Sequence, residues 1–269
     1  MLSIQTIQAI PLQRGYGRNL RYVMQPIDLM ENDPFIILAD DEFAHNTFAD
    51  HPHKGIQTVT YVVKGNLQHY DSKTGGGRLY EGDFQIMTAG SGIVHNENPD
   101  PGKEVQVLQL WVNLSSKDKK VPGQYQDLPH GQAPVLSIED GKIEVYAGEV
   151  NGVASPLTLF TPFLYAVVSL DAGASYDFPI PANYNSYLYM LEGKVTASGQ
   201  QFNAFDVAHF EQNSQEDSIP LSATQLTKFV IFSGKPIKQP VVARGPFVMN
   251  TEEEIREAFE SYRNGTFGQ

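Results

Sequence analysis

Apolar and β-branched residues recur in short runs rather than along a helical stripe: Thr58 to Val63, Leu67 to Tyr70, Phe84 to Thr88 and Val105 to Leu114, separated by polar or Gly-containing turns. A polar, Pro-bearing stretch from Ser115 to about Pro134 interrupts them. Similar runs resume at Ile143 to Tyr146, Leu164 to Leu170, Tyr187 to Leu191 and Thr227 to Phe232. This pattern predicts an all-β chain of barrel or sandwich type. Two domains are expected, residues 1–127 and 128–269. The tail departs from the pattern. Thr251-Glu252-Glu253-Glu254 reads as a capping box with acids at the positive helix end, and Ile255, Phe259 and Tyr262 follow at helical spacing. One short amphipathic helix, ended by Asn264-Gly265, is expected within residues 128–269, packing its apolar stripe on a sheet or across the two domains.

A weak repeat links the halves, since Tyr61-Val62-Val63-Lys64-Gly65 and Tyr189-Met190-Leu191-Glu192-Gly193 match at an offset of 128 residues. That offset sets Pro179 and Pro181 opposite His51 and His53. Aligning the later turns sets Ser218 and Pro220 opposite His95 and Glu97. Only the first half is then expected to carry metal ligands.

Composition narrows the chemistry. The aromatic content, 15 Phe and 13 Tyr beside a single Trp in 269 residues, suits many short strands. Cysteine is absent, which excludes disulfides, thiolate ligands and cysteine nucleophiles and makes a reducing cytoplasm the natural compartment. The opening Met1-Leu2-Ser3-Ile4-Gln5 shows neither a signal-peptide pattern nor a long apolar run, so no membrane association is expected. A formal net charge of −12 disfavours direct nucleic-acid binding.

Two short pairs carry the candidate chemistry: His51-Pro52-His53, and His95-Asn96-Glu97. Residues two apart on a strand point to one face, about 6.5–7 Å apart, so each pair can aim both side chains at one ion. Three neutral imidazoles and one carboxylate suit iron, nickel, copper, zinc or manganese. An octahedral ion would keep two positions for water, substrate or dioxygen. Glu97 would supply negative charge and could also serve as a base. The competing reading makes each histidine an ordinary polar residue, or the set a closed structural zinc site; the pairing favours a shared open site over both. His45, His69, His130 and His209 read as ordinary polar residues, although His45 and His69 are near enough in sequence to line a pocket. Gly75-Gly76-Gly77 lacks the features of a phosphate loop and reads as a hairpin loop, and Gly90-Ser91-Gly92 as a tight turn that positions His95.

Asp50-His51-Pro52-His53-Lys54-Gly55, Gln57-Thr58-Val59-Thr60-Tyr61-Val62, Met87-Thr88-Ala89-Gly90-Ser91-Gly92-Ile93-Val94-His95-Asn96-Glu97, Leu108-Gln109-Leu110-Trp111-Val112-Asn113-Leu114 and the tail from Gly245 to Ile255 together resemble the pirin family. The resemblance spans most of the chain. It implies a bicupin, two face-to-face β-barrel domains of jelly-roll type with a short C-terminal helix, and one mononuclear divalent metal in the N-terminal domain. The implied ligands are His51, His53, His95 and Glu97, with Fe(II) the first expectation and Ni, Cu, Mn or Zn the alternatives. Gln57 departs from the Glu usual in the first motif, which puts local tuning of the site in question. Some pirin-like proteins are similar to flavonol dioxygenases, which implies a quercetin 2,3-dioxygenase-type oxidoreductase acting on a small aromatic substrate, with Glu97 as the catalytic base. The family also allows an iron-dependent regulator that binds a protein partner. A monomer is expected.

Overall fold

The computed structural model describes residues 1–268 except Tyr16, Ser72 and Thr74. The regular structure of the described residues is mostly antiparallel strand, with one α-helix at Glu252–Arg263. It divides into two compact units, one made of Met1–Ile10 and Gln132–Pro236, the other of Pro11–Gly131 and Ile237–Gln269.

The unit that contains both histidine pairs has a seven-stranded sheet, in the order Gln124–Leu128, Phe84–Thr88, Ile56–Lys64, Glu104–Asn113, Phe35–Ala44, Arg18–Met24, Gln13–Gly15. Its second sheet has four strands, in the order His51–His53, Ile93–Asn98, Asn66–Asp71, Gly75–Tyr80. The other unit repeats the scheme. Its seven strands run Ile4–Ala9, Asp206–Phe210, Asn185–Glu192, Thr227–Gly234, Phe163–Leu170, Gly141–Ala147, Val135–Ile138, and its four run Ser175–Ile180, Asp217–Ala223, Lys194–Ala197, Gln200–Asn203. Tyr61 and Tyr189 lie on corresponding strands. Pro179 stands opposite Ser218 in the same register that sets His51 opposite His95, so the repeat offers no imidazole at these positions in its second copy.

One core lies between the sheets of that second copy. Leu164, Ala166, Val168, Leu188 and Ile231 of the larger sheet meet Phe178, Ile219 and Leu221 of the smaller, and each such large side chain removed from water contributes on the order of 1.5–3 kcal/mol. The alternate positions, Tyr165, Val167, Tyr189 and Val230 among them, face the other way and are buried as well, which is why the sequence alternates only weakly.

Both chain ends depart from the expected division at 127/128. Strand Ile4–Ala9 pairs with Asp206–Phe210 and so completes the sheet of the later unit, at the edge that Gln124–Leu128 occupies in the earlier one. The helix belongs to the unit with the histidine pairs rather than to the C-terminal half. Its capping box forms as expected, with Thr251 Oγ1 accepting from Glu254 N at 3.2 Å and Glu254 Oε2 accepting from Thr251 N at 3.1 Å. Ile255 and Ala258 pack on Phe247 and Met249, and Phe259 meets Phe247 edge-on at 4.8 Å. This tail is anchored by polar contacts that a hydrophobic pattern cannot reveal. Val248 N donates to the Lys54 carbonyl at 3.0 Å. The buried Lys119 ammonium donates to Gly55 O at 2.8 Å, Asn113 Oδ1 at 2.6 Å and Val248 O at 2.7 Å, three donors for three acceptors.

Gly75-Gly76-Gly77 also differs from expectation. These residues begin a strand, with Gly76 opposite Tyr70 and Gly77 opposite His69, because hairpin pairing outweighs the low strand propensity of glycine. Among the described residues no helix is long and apolar enough to cross a membrane.

Candidate metal centre

Strands His51–His53 and Ile93–Asn98 are antiparallel neighbours, with His51 opposite His95 and His53 opposite Ile93. Burial along the second strand alternates, with Ile93, His95 and Glu97 inside and Val94, Asn96 and Asn98 half-exposed. The H-x-H and H-x-E spacings therefore deliver their side chains to one face. The His51 and His95 ring centroids are 4.5 Å apart, and each lies 5.0 Å from that of His53. One nitrogen from each ring falls within 4.8 Å of the other two. Gly55, two residues past His53, sets the turn: its φ is +79°, and a Cβ there would overlap the Val248 carbonyl oxygen.

The rings carry free lone pairs. Both nitrogens of His53 and Nε2 of His95 are buried without a hydrogen-bond partner among the described residues. An orphaned buried donor or acceptor costs about 1–3 kcal/mol, and coordination would remove that cost. Burial, reinforced by the charge of His51, lowers the His53 pKa from 6.5 to about 3; the Pro246 carbonyl opposes this weakly from outside hydrogen-bond geometry. Burial also holds His95 well below its ordinary value, with His53, His51 and His69 adding to the effect. His51 Nδ1 lies 2.9 Å from the Ala49 carbonyl, which can only accept, so that nitrogen carries the proton and Nε2 keeps the lone pair. Neutral imidazoles with free nitrogens are the form that binds a metal.

Glu97 stands just outside this mutual cluster. Its Oε2 accepts from Gln109 Nε2 at 2.9 Å, and its Oε1 is a long 3.4 Å from Thr60 Oγ1. Burial raises its pKa, opposed by the His51 charge, the Gln109 hydrogen bond, His69 and Thr60. Gln109 in turn accepts from Trp111 Nε1 at 3.4 Å, and the indole lies edge-on to His53 at 4.9 Å. Gln109 and Trp111 were not among the sequence candidates, yet a readable signal exists. Val105, Val107, Gln109 and Trp111 share one face of their strand, and an amide on an otherwise apolar face needs a polar partner.

The remaining histidines divide. His69 faces the interior beside Glu97, whereas His45 binds the Pro99 carbonyl at 2.7 Å and His209 lies in the other unit. Gln57 lies on the face of its strand opposite Thr58 and Thr60 and donates to Thr88 Oγ1 at 3.0 Å. The missing carboxylate of the first motif therefore does not border the three histidines.

The His53 environment has a measurable consequence. In the unfolded chain the ring takes up a proton near pH 6.5, while in the metal-free folded protein it stays neutral down to about 3. The unfolded state binds more protons throughout that window, so stability falls as pH falls through it, by an amount on the order of several kcal/mol. Melting temperatures of metal-stripped protein from pH 7.5 to 4.5 should show this decline, and His53→Gln should flatten it. A slope unchanged by the substitution would place the titration elsewhere.

Two paired-sheet units built on one strand order define a bicupin, and among the described residues the three-imidazole group that could hold a metal lies in the unit of Pro11–Gly131 and Ile237–Gln269. Residues 15–112 match the family model described as Pirin, and residues 165–268 match the Pirin C-terminal cupin domain. The chain belongs to the pirin family. It is 36% identical to a Pirin-like protein of Solanum lycopersicum over 99% of its length and 93% of that protein's. It is 36% identical to Pirin of Homo sapiens, over 94% and 89% of the two chains. A quercetin 2,3-dioxygenase structure from Acinetobacter baumannii superposes with a TM-score of 0.89 at 30% identity, covering 100% of this chain and 99% of that one.

Proposed function

We propose that the chain is a metal-dependent dioxygenase of the quercetin 2,3-dioxygenase type, with His51, His53, His95 and Glu97 holding one divalent ion, Fe(II) in the first instance. The observation that carries this reading is the convergence of three imidazoles, of which His53 and His95 have buried unsatisfied nitrogens, beside a buried carboxylate. The likeness to the Acinetobacter enzyme supplies the substrate class. When bound, the ion would supply Lewis acidity and a meeting point for a flavonol oxygen and dioxygen.

The chain's own groups then have distinct tasks. Glu97 Oε1, the oxygen that Gln109 leaves free, takes the proton of the flavonol 3-hydroxyl; a carboxyl whose pKa burial has raised is a better base than an exposed one. Gln109 fixes the carboxylate plane, and Trp111 fixes Gln109 while its ring flanks His53. Burial of His53, His95 and Glu97 limits the access of water to the reacting groups.

Reconstitution of metal-stripped protein with Fe(II), Ni(II), Cu(II) or Mn(II) under anaerobic conditions, followed by quercetin and air, should give quercetin loss with release of carbon monoxide for at least one metal. One bound ion per chain without turnover for any of the four would reject the dioxygenase reading. It would favour a metal-dependent regulator, to be examined by comparing protein partners captured by ferrous, ferric and metal-stripped forms.

A further inference from the structure

His69 stands directly opposite Glu97 on the neighbouring strand, and the proposed ligand set does not use it. Opposite residues on adjacent antiparallel strands share a face with Cβ atoms about 5 Å apart, so both side chains enter the same interior. His69 is only 6% exposed, and its ring stacks on Tyr125 with centroids 4.7 Å apart and 22° between planes. Bare backbone gives the ring its place: a Cβ on Gly77 would come within 2.9 Å of His69 Cε1.

The tautomer of this ring is fixed by its neighbours. Gln85 Nε2 lies 2.7 Å from Asp127 Oδ1 and 3.0 Å from His69 Nδ1. A carboxylate only accepts, so Gln85 turns its NH2 group toward Asp127. The second hydrogen of that same group then points to His69 Nδ1, which must hold a lone pair. A neutral imidazole has one N–H, and here it is on Nε2. Among the described residues, Nε2–H has no acceptor.

We infer that His69 is a specificity-determining residue of the ligand pocket: a fixed Nε2–H donor beside the Glu97 acceptor that together recognise a hydroxyl adjacent to a carbonyl. Glu97 receives the proton of the hydroxyl, and His69 donates to the neighbouring carbonyl or to the oxygen anion that remains. The identity of the ligand rests on the dioxygenase reading, whereas the tautomer does not. The Tyr125 stack, the Gln85–Asp127 pair and Gly77 serve to hold this one donor in place.

Nitrogen-15 NMR of histidine-labelled, metal-stripped protein at neutral pH should show His69 Nδ1 without a proton and Nε2 with one. Gln85→Glu, which replaces the donor by an acceptor, should move a proton onto Nδ1. Anaerobic titration of the metal-loaded protein with quercetin supplies the second readout. His69→Phe keeps the stack on Tyr125 but lacks the donor; it should keep its metal and weaken quercetin binding about 10-fold or more, the scale of one hydrogen bond to an ionised oxygen. His69→Gln, which retains an N–H, should recover part of the loss. A protonated Nδ1 in the unsubstituted protein would overturn the inference, as would His69→Phe binding quercetin as tightly as the unsubstituted protein. Should the unsubstituted protein fail to bind quercetin, the flavonol reading falls. The tautomer and its response to Gln85→Glu then decide the His69 assignment alone, an unprotonated Nδ1 that gains its proton in Gln85→Glu supporting it and any other pattern overturning it.

Discussion

His53→Ala is expected to abolish metal retention while leaving the chain folded. His53 lies 5.0 Å by ring centroid from each of its two partners, and both its nitrogens are buried without a hydrogen bond. Removing a residue that only orients a ligand typically costs 10–100-fold in metal affinity, so loss of a ligand itself should cost about 100-fold or more. The folded apo-protein loses little in exchange, because the truncation also removes two unsatisfied nitrogens. Elemental analysis should therefore find close to one ion per chain in the unsubstituted protein and next to none in the variant. Added Fe(II) or Ni(II) should raise the melting temperature of the former and not of the latter, since only a ligand that binds the folded state stabilises it. Equal metal content in the two proteins would remove His53 from the site. Because His51 is half-exposed, His51→Ala should be the milder substitution: an ordered water can replace its nitrogen more readily than one in the dry interior.

Glu97→Gln is expected to separate binding from chemistry. Glutamine keeps the size and the hydrogen bonds available to Gln109 and Thr60 but cannot take a proton. Loss of a positioned general base costs typically 10²–10⁴-fold in rate. With the three imidazoles intact, metal content should fall far less than turnover, so the measured kcat should drop by about that factor at near-constant metal occupancy. A parallel loss of metal and activity would make Glu97 an indispensable ligand and leave the base unassigned. Undiminished turnover in the variant would contradict the proposed proton transfer.

What the sequence revealed about this site follows from the periodicity of a strand. A two-residue spacing says only that two side chains share a face, and that was sufficient to bring His51 with His53, and His95 with Glu97. The meeting of the two pairs depends on register between strands 42 residues apart, which the spacing within either pair does not specify and which the structure supplies for His51 and His95. The partners of the carboxylate, Gln109 and Thr60, belong to other strands than the pair itself, and only Gln109, an amide on the otherwise apolar face of its strand, carries a signal that it faces inward. His69 was set aside as an ordinary polar residue for the same reason: Leu67, His69 and Asp71 share a buried face only once the hairpin with Gly75–Tyr80 is known.

The fold shows the same division. The strands Ile56–Lys64, Phe84–Thr88, Glu104–Asn113, Asn185–Glu192 and Thr227–Gly234 carry dense β-branched and aromatic runs, and the expected segments coincide with them to within a few residues. Edge strands such as Ile4–Ala9 and Gln13–Gly15 are exposed and polar, so no hydrophobic run marks them. The placement of the tail escaped for a further reason. Its capping box and apolar stripe specify a helix but not the sheet that receives it, and that choice is made by backbone carbonyls of Gly55 and Val248 gathered on Lys119.

A crystal structure of protein loaded with Fe(II) under anaerobic conditions, with anomalous scattering recorded at the iron edge, tests the central claim most directly. One peak per chain is predicted, ligated by nitrogens of His51, His53 and His95, with Glu97 Oε1 at or next to the ion and at least one coordination position open to solvent. The account would be contradicted by iron bound elsewhere, by imidazoles that remain apart around an empty centre at saturating iron, or by an ion enclosed by protein ligands on every side.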